Sequence, residues 1–134
     1  APLNSVWEGT ANMMCMDVRR AMIKEPGTIE ALFDELKPLA GQDAHFDALV
    51  QHTRRLIREA VNDEFLARPM TEAVARVLQA AEVVRYSPSE VADAFLSTRF
   101  PSVSGSWGSH FGTLAVTVSQ VAAQKIMRRA MVTA

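Results

Sequence analysis

Residues 43–66 constrain the fold more than any other part of the chain. Phe46, Leu49, Val50, Leu56, Ile57, Ala60 and Val61 recur at three-and-four spacing, the repeat that puts apolar side chains on one stripe of an α-helix. A helix of this length with one apolar stripe must bury that stripe against other helices or a sheet. No alternating apolar/polar run anywhere in the chain offers a strand. The partners are therefore helices, and the expected fold class is all-α.

The remaining segments supply those partners. Residues 10–24 read as a first helix, with Met14, Val18, Ala21 and Met22 near one stripe and Asp17, Arg20 and Lys24 near another. Glu25-Pro26-Gly27 ends it. Thr28 is a candidate N-cap for a short helix carrying Ile29, Leu32, Phe33 and Leu36, stopped near Pro38. Pro69 suits the first turn of a helix with Met70, Ala73, Val74, Val77, Leu78 and Ala81. Ser87-Pro88-Ser89-Glu90 combines a capping Ser, an early Pro and a Glu three residues on, and Val91, Ala94 and Phe95 follow on one face. Residues 101–113, rich in Gly and Ser, read as the one substantial loop. A last helix is expected from about Leu114 to Met131. The reading is an antiparallel bundle of five to six helices, a single domain over residues 1–134. It has no internal repeat, and no apolar run approaches the roughly 20 residues that span a bilayer.

Charge excludes little by itself. The formal net charge is −1, too small to draw the molecule as a whole onto a polyanion. Its distribution is uneven. Residues 1–53 hold eight acids and four bases, whereas residues 94–134 hold Arg99, Lys125, Arg128 and Arg129 and no acid. A basic end of this kind is either a solvated helix end that complements the helix dipole or a point of contact for an anion. Cys15 is the single cysteine. It allows no internal disulfide, in keeping with a reducing cytoplasm. His45 and His52 share a helix face, but no third ligand has metal spacing, and His110 stands apart. Met13, Met14, Met16 and Met22 form a soft cluster, read as core filler or, alternatively, as the lining of a ligand cavity.

One segment carries chemistry. Trp7-Glu8-Gly9-Thr10-Ala11-Asn12 puts a carboxylate before a Gly-Thr corner that opens the first helix. Alone, this is also an ordinary helix entry, with an acid near the positive end of the dipole. The longer run Leu3 to Asn12 resembles the C-terminal motif of the flavin-dependent acyl-CoA dehydrogenases, which mostly show Tyr-Glu-Gly-Thr here. The Trp, the Asn two residues after Thr, and Cys15-Met16-Asp17-Val18-Arg19-Arg20 look more like the alkylation-response branch. Val91 to Phe95 leading to Thr98-Arg99, and Trp107 to Leu114, agree with that branch.

The resemblance implies a part of an FAD-dependent oxidoreductase that removes a proton and a hydride from an acyl-CoA thioester. It gives Glu8 the role of base, since a weakly acidic α-proton needs a nearby, partly desolvated carboxylate. It sets Trp7, Gly9, Thr10 and Asn12 against FAD, and it brings Arg20 and Arg99 near the pocket. A buried Arg20 would pair with Glu8 or Asp17. Arg19 is its rival, seven residues from Asn12 and so on nearly the same helix face. The Gly-Gly that usually follows the branch's Arg is Phe100-Pro101 here. The resemblance further implies N-terminal helical and β domains outside this chain, homo-oligomers and, for the branch, contact with duplex DNA. The chain by itself is expected to hold no FAD and to be inactive.

Overall fold

A computed structural model describes residues 10–100 and 118–131. Trp7, Glu8, Gly9, His110 and the Trp107-to-Leu114 stretch lie outside the described residues. Six α-helices are described: α1 (Ala11–Lys24), α2 (Gly27–Leu36), α3 (Ala44–Ala60), α4 (Ala67–Tyr86), α5 (Ser89–Arg99) and α6 (Gln120–Ala130). Single 3-10 turns at Lys37–Leu39 and Glu64–Leu66 sit in two of the links. No strand occurs among the described residues. The all-α helical bundle expected from periodicity is the observed fold.

The long helix is shorter than its apolar pattern. Asp43 caps α3, its carboxylate accepting from the amides of His45 at 2.7 Å and Phe46 at 2.9 Å. The helix then ends at Ala60 rather than 66. The amides of both Asn62 and Asp63 turn back to the Glu59 carbonyl, and Val61 is 45% exposed. Asp63 explains the break, because its side chain accepts from the Phe65 amide and starts the 3-10 turn. That local bond offers the backbone an alternative to the helical ladder.

Other boundaries shift for similar reasons. α2 starts at Gly27 behind Pro26, so Thr28 lies inside the first turn and its hydroxyl donates to the Glu25 carbonyl at 2.8 Å. Ser87 ends α4 rather than capping α5, which begins after Pro88. Val118 and Ser119 are not helical, and the Ser119 hydroxyl caps α6 by accepting from the Ala122 amide. The buried side of α5 is Ala92 and Leu96, with Phe95 half-buried beside them.

Two apolar clusters hold the bundle. Phe46, Leu49, Val77, Leu96 and Phe100 join α3, α4 and α5, with Leu36 and Leu39 closing one side. Leu56, Ile57, Ala60, Met70 and Ala73 form the second cluster further along α3 and α4. Phe100 stands where the branch shows Gly, and it is a core residue. It is 2% exposed and meets the Phe95 ring edge-on at 5.8 Å. Its carbonyl lies 3.0 Å from His45 Nδ1. Buried Thr53 donates to the Leu49 carbonyl at 2.8 Å, so a polar group inside the core stays satisfied.

Among the described residues α1 packs onto the second cluster, through Val18 and Met22, with Cys15 buried. This corrects the predicted stripe: Met14 is 52% exposed and Ala21 is exposed as well. The methionine cluster divides accordingly. Met22 fills the core, while Met13 and Met14 face outward.

Candidate functional site

α1 opens beside the start of α4. Thr10 is the N-cap residue of α1, in extended conformation, and its side chain makes no capping bond. Its carbonyl receives the Met14 amide, closing the first turn. No acid lies in the first turn of α1 itself.

Asn12 is exposed, and its Oδ1 accepts from Arg68 Nη1 at 3.0 Å, across 56 residues of sequence. With Oδ1 occupied, the Asn12 Nδ2 group is left as a donor. A recess of about 530 Å³ lies between the two helix starts, lined by Asn12, Cys15, Met16 and Arg68 among others. Phe65, in the turn before α4, also lines it and is 87% exposed. The polar lining of the recess is Asn12, Arg68 and the Glu64 carboxylate. Its chemistry suits an anionic or acceptor-bearing group with a flat apolar part.

The two arginines of α1 part company. Arg19 reaches back to the end of α3, donating from Nε to the Ala60 carbonyl at 2.5 Å and from Nη2 to the Val61 carbonyl at 2.9 Å. It caps a helix C-terminus whose last carbonyls have no partner within the helix. This engagement removes it as a rival for the pocket. Arg20 pairs with Asp17 at 2.8 Å, the partner expected for it, but both side chains are 65% exposed. Arg99 ends α5, its guanidinium 5.5 Å from the centre of the Phe95 ring. No hydrogen bond or ion pair joins Asn12, Arg20 and Arg99 to one another among the described residues. Among the described site candidates Asn12 lines the recess, together with Arg68; Thr10 precedes it as the N-cap residue of α1.

One known protein is similar to most of the chain. Over 94 residues, 70% of its length, the chain is 31% identical to AidB of Escherichia coli (strain K12), a protein classed by name with the acyl-CoA dehydrogenases. The chain is AidB-like. The match spans 17% of AidB itself, in keeping with a C-terminal helical portion of such a protein. No protein-family model matches the chain, and no solved structure does.

Arg68 was not legible in the sequence. It follows a turn and precedes Pro69, and nothing local connects it with Asn12. Only the side-by-side packing of α1 and α4 makes them neighbours. The arginines of α3 keep their expected wet face, with Arg54 stacked over the Phe33 ring at 4.2 Å. Burial, followed by the Arg55 charge, holds the His52 imidazole below its ordinary pKa. No group of three or more metal-ligating side chains is found among the described residues.

The basic end is partly neutralised. Lys125 of α6 pairs with Glu90 of α5 at 2.9 Å, and this bond holds the Glu90 carboxyl below its usual range. Arg128 and Arg129 occupy the last turn of α6, where they complement the helix dipole.

Proposed function

We propose that this chain contributes the C-terminal helical part of an FAD-dependent acyl-CoA dehydrogenase-like oxidoreductase. The observation that carries this reading is the similarity to AidB across 94 residues. The recess beside Asn12 and Arg68 supports it, because the resemblance sets Asn12 against FAD.

In this reading Glu8 is the base that takes the α-proton of an acyl thioester. When bound, the flavin supplies the hydride acceptor. The residues present fit such a group. The uncapped amides at the start of α1 and the Asn12 Nδ2 group are donors toward an anionic or carbonyl-bearing ligand, and Arg68 fixes the Asn12 side chain by holding its Oδ1. Arg68 is thus a positioning residue, acting through Asn12. The exposed, mixed apolar face of α1 (Met13, Met14 and Ile23) suits burial by further polypeptide of the same flavoprotein. By itself the chain supplies one wall of the site, so it is expected to retain no flavin and to oxidise no acyl-CoA.

The test is direct. Purified chain is mixed with excess FAD, passed over a desalting column and scanned for flavin absorbance. The expected trace has no flavin band in the protein peak. A stoichiometric yellow complex would overturn the claim that the remaining walls are needed.

A further inference from the structure

A second surface stands apart from the recess at α1. Between α2 and α3 lies an open cleft of about 940 Å³. Its floor is apolar, with Ile29 and Phe33 from α2 and Val50 and Ile57 from α3. Val50 and Ile57 stand two turns apart, so the floor runs about 10 Å along α3. Charge is segregated on the two walls. α2 contributes two acids one turn apart, Glu30 and Asp34, and α3 contributes two cations one turn apart, Arg54 and Arg58. All four are exposed. At one end the cleft is also lined by Lys37, in the 3-10 turn beyond α2, and by Asp47, whose carboxylate already accepts from the Gly41 amide at 3.1 Å.

Among the described residues no ion pair spans the cleft from wall to wall. Arg54 lies over the Phe33 ring instead, 4.2 Å from its centre. The side chains of Glu30, Asp34 and Arg58 make no ion pair among the described residues. Opposite charges that flank one apolar floor without meeting suit an occupant that lies between them. Its underside must be apolar. The flank toward α2 must carry cations, and the flank toward α3 must carry carboxylates. A third helix laid along the seam of two helices meets all three conditions, because its apolar stripe has a polar flank on each side. α6 of this chain is not that helix. It exposes Val121 and Met127, but it carries Lys125, Arg128 and Arg129 and no acid, so it would set cations against Arg54 and Arg58.

We propose that the α2–α3 cleft is a docking groove for an amphipathic helix of a partner polypeptide, with its apolar stripe on Phe33 and Val50, Lys or Arg beside Glu30 and Asp34, and Asp or Glu beside Arg54 and Arg58. The apolar floor supplies attraction, and the two walls select the partner's flanks, since exposed ion pairs are individually weak. The proposal does not depend on the flavoprotein reading, and its outcome leaves that reading untouched.

Fluorescence anisotropy with three labelled synthetic peptides tests it. Each has about 18 residues, long enough to populate a helix in water, and all share one Leu stripe. The first carries Lys on one flank and Glu on the other, the second Lys on both, the third Glu on both. The mixed peptide is expected to bind the purified chain about 3- to 10-fold more tightly than either uniform peptide, each of which meets one like-charged wall. Reversing a wall should redirect the preference. Glu30→Lys with Asp34→Lys makes both walls basic and should favour the all-Glu flanks. Arg54→Glu with Arg58→Glu makes both acidic and should favour the all-Lys flanks. Circular dichroism of each variant checks that the helices persist, and a gain of binding cannot come from unfolding. Absence of binding by all three peptides would overturn the proposal. So would equal affinity for the three, or a preference that neither wall reversal moves. A free chain that sediments as a dimer which the mixed peptide does not dissociate would also overturn it, because the groove would then belong to a second copy.

Discussion

The two ends of this bundle are built on different principles. Around Phe46, Leu49 and Leu96, helices and a 3-10 turn converge, and Phe46, Leu49, Leu96 and Phe100 are each nearly sealed from water. Around α1, one helix lies on the flank of the others. It is held by Val18, Met22 and Cys15 and by one arginine that reaches two carbonyls. The first end is stabilised by area removed from water, the second largely by a few directed bonds. The difference shows where this chain is a self-sufficient domain and where it is an edge.

Mutations at the two ends should separate accordingly. Phe46→Ala removes a fully buried ring where three helices meet, and it should cost about 3–5 kcal/mol of stability by chemical denaturation. The comparison would break if the loss were closer to that of a surface change. Arg19→Ala leaves two helix-end carbonyls without their donor and should cost about 1–2 kcal/mol. Hydrogen exchange should then accelerate in α1 before it does in α3 or α4, which would sharpen the contrast between flank and core. Uniform acceleration would mean that α1 is as integral as the rest. Arg20→Ala sits one residue away on the same helix. Its ion pair with Asp17 is solvated, so thermal unfolding should register a change of about 0.5 kcal/mol or less. A larger loss would show that Arg20 makes contacts within the chain beyond Asp17.

Adjacent Arg19 and Arg20 show how far local reading goes. In sequence they are near-equivalent candidates for the same pocket. In the structure one ties two helices together and the other stands in water. Their difference is about one hundred degrees of helix rotation and the presence of the α3 terminus on one side. Asp63 shows the same limit at the level of elements. The apolar period runs past Ala60, and a side chain that prefers to start a new turn overrides it. Phe100 goes the other way. It reads as a departure from the family pattern, and the fold makes it a core side chain.

The sequence by itself determined the helical class and the approximate number and extent of the helices. Those follow from periodicity, breakers and caps, all of which act within a few residues. The tertiary structure alone decided which face of α1 is buried, that Arg68 holds Asn12, that Arg19 caps α3, and that mixed charges line the α2–α3 cleft. These depend on which helices lie side by side, and contacts across forty or fifty residues are set by the packing of whole apolar faces, which no local pattern encodes.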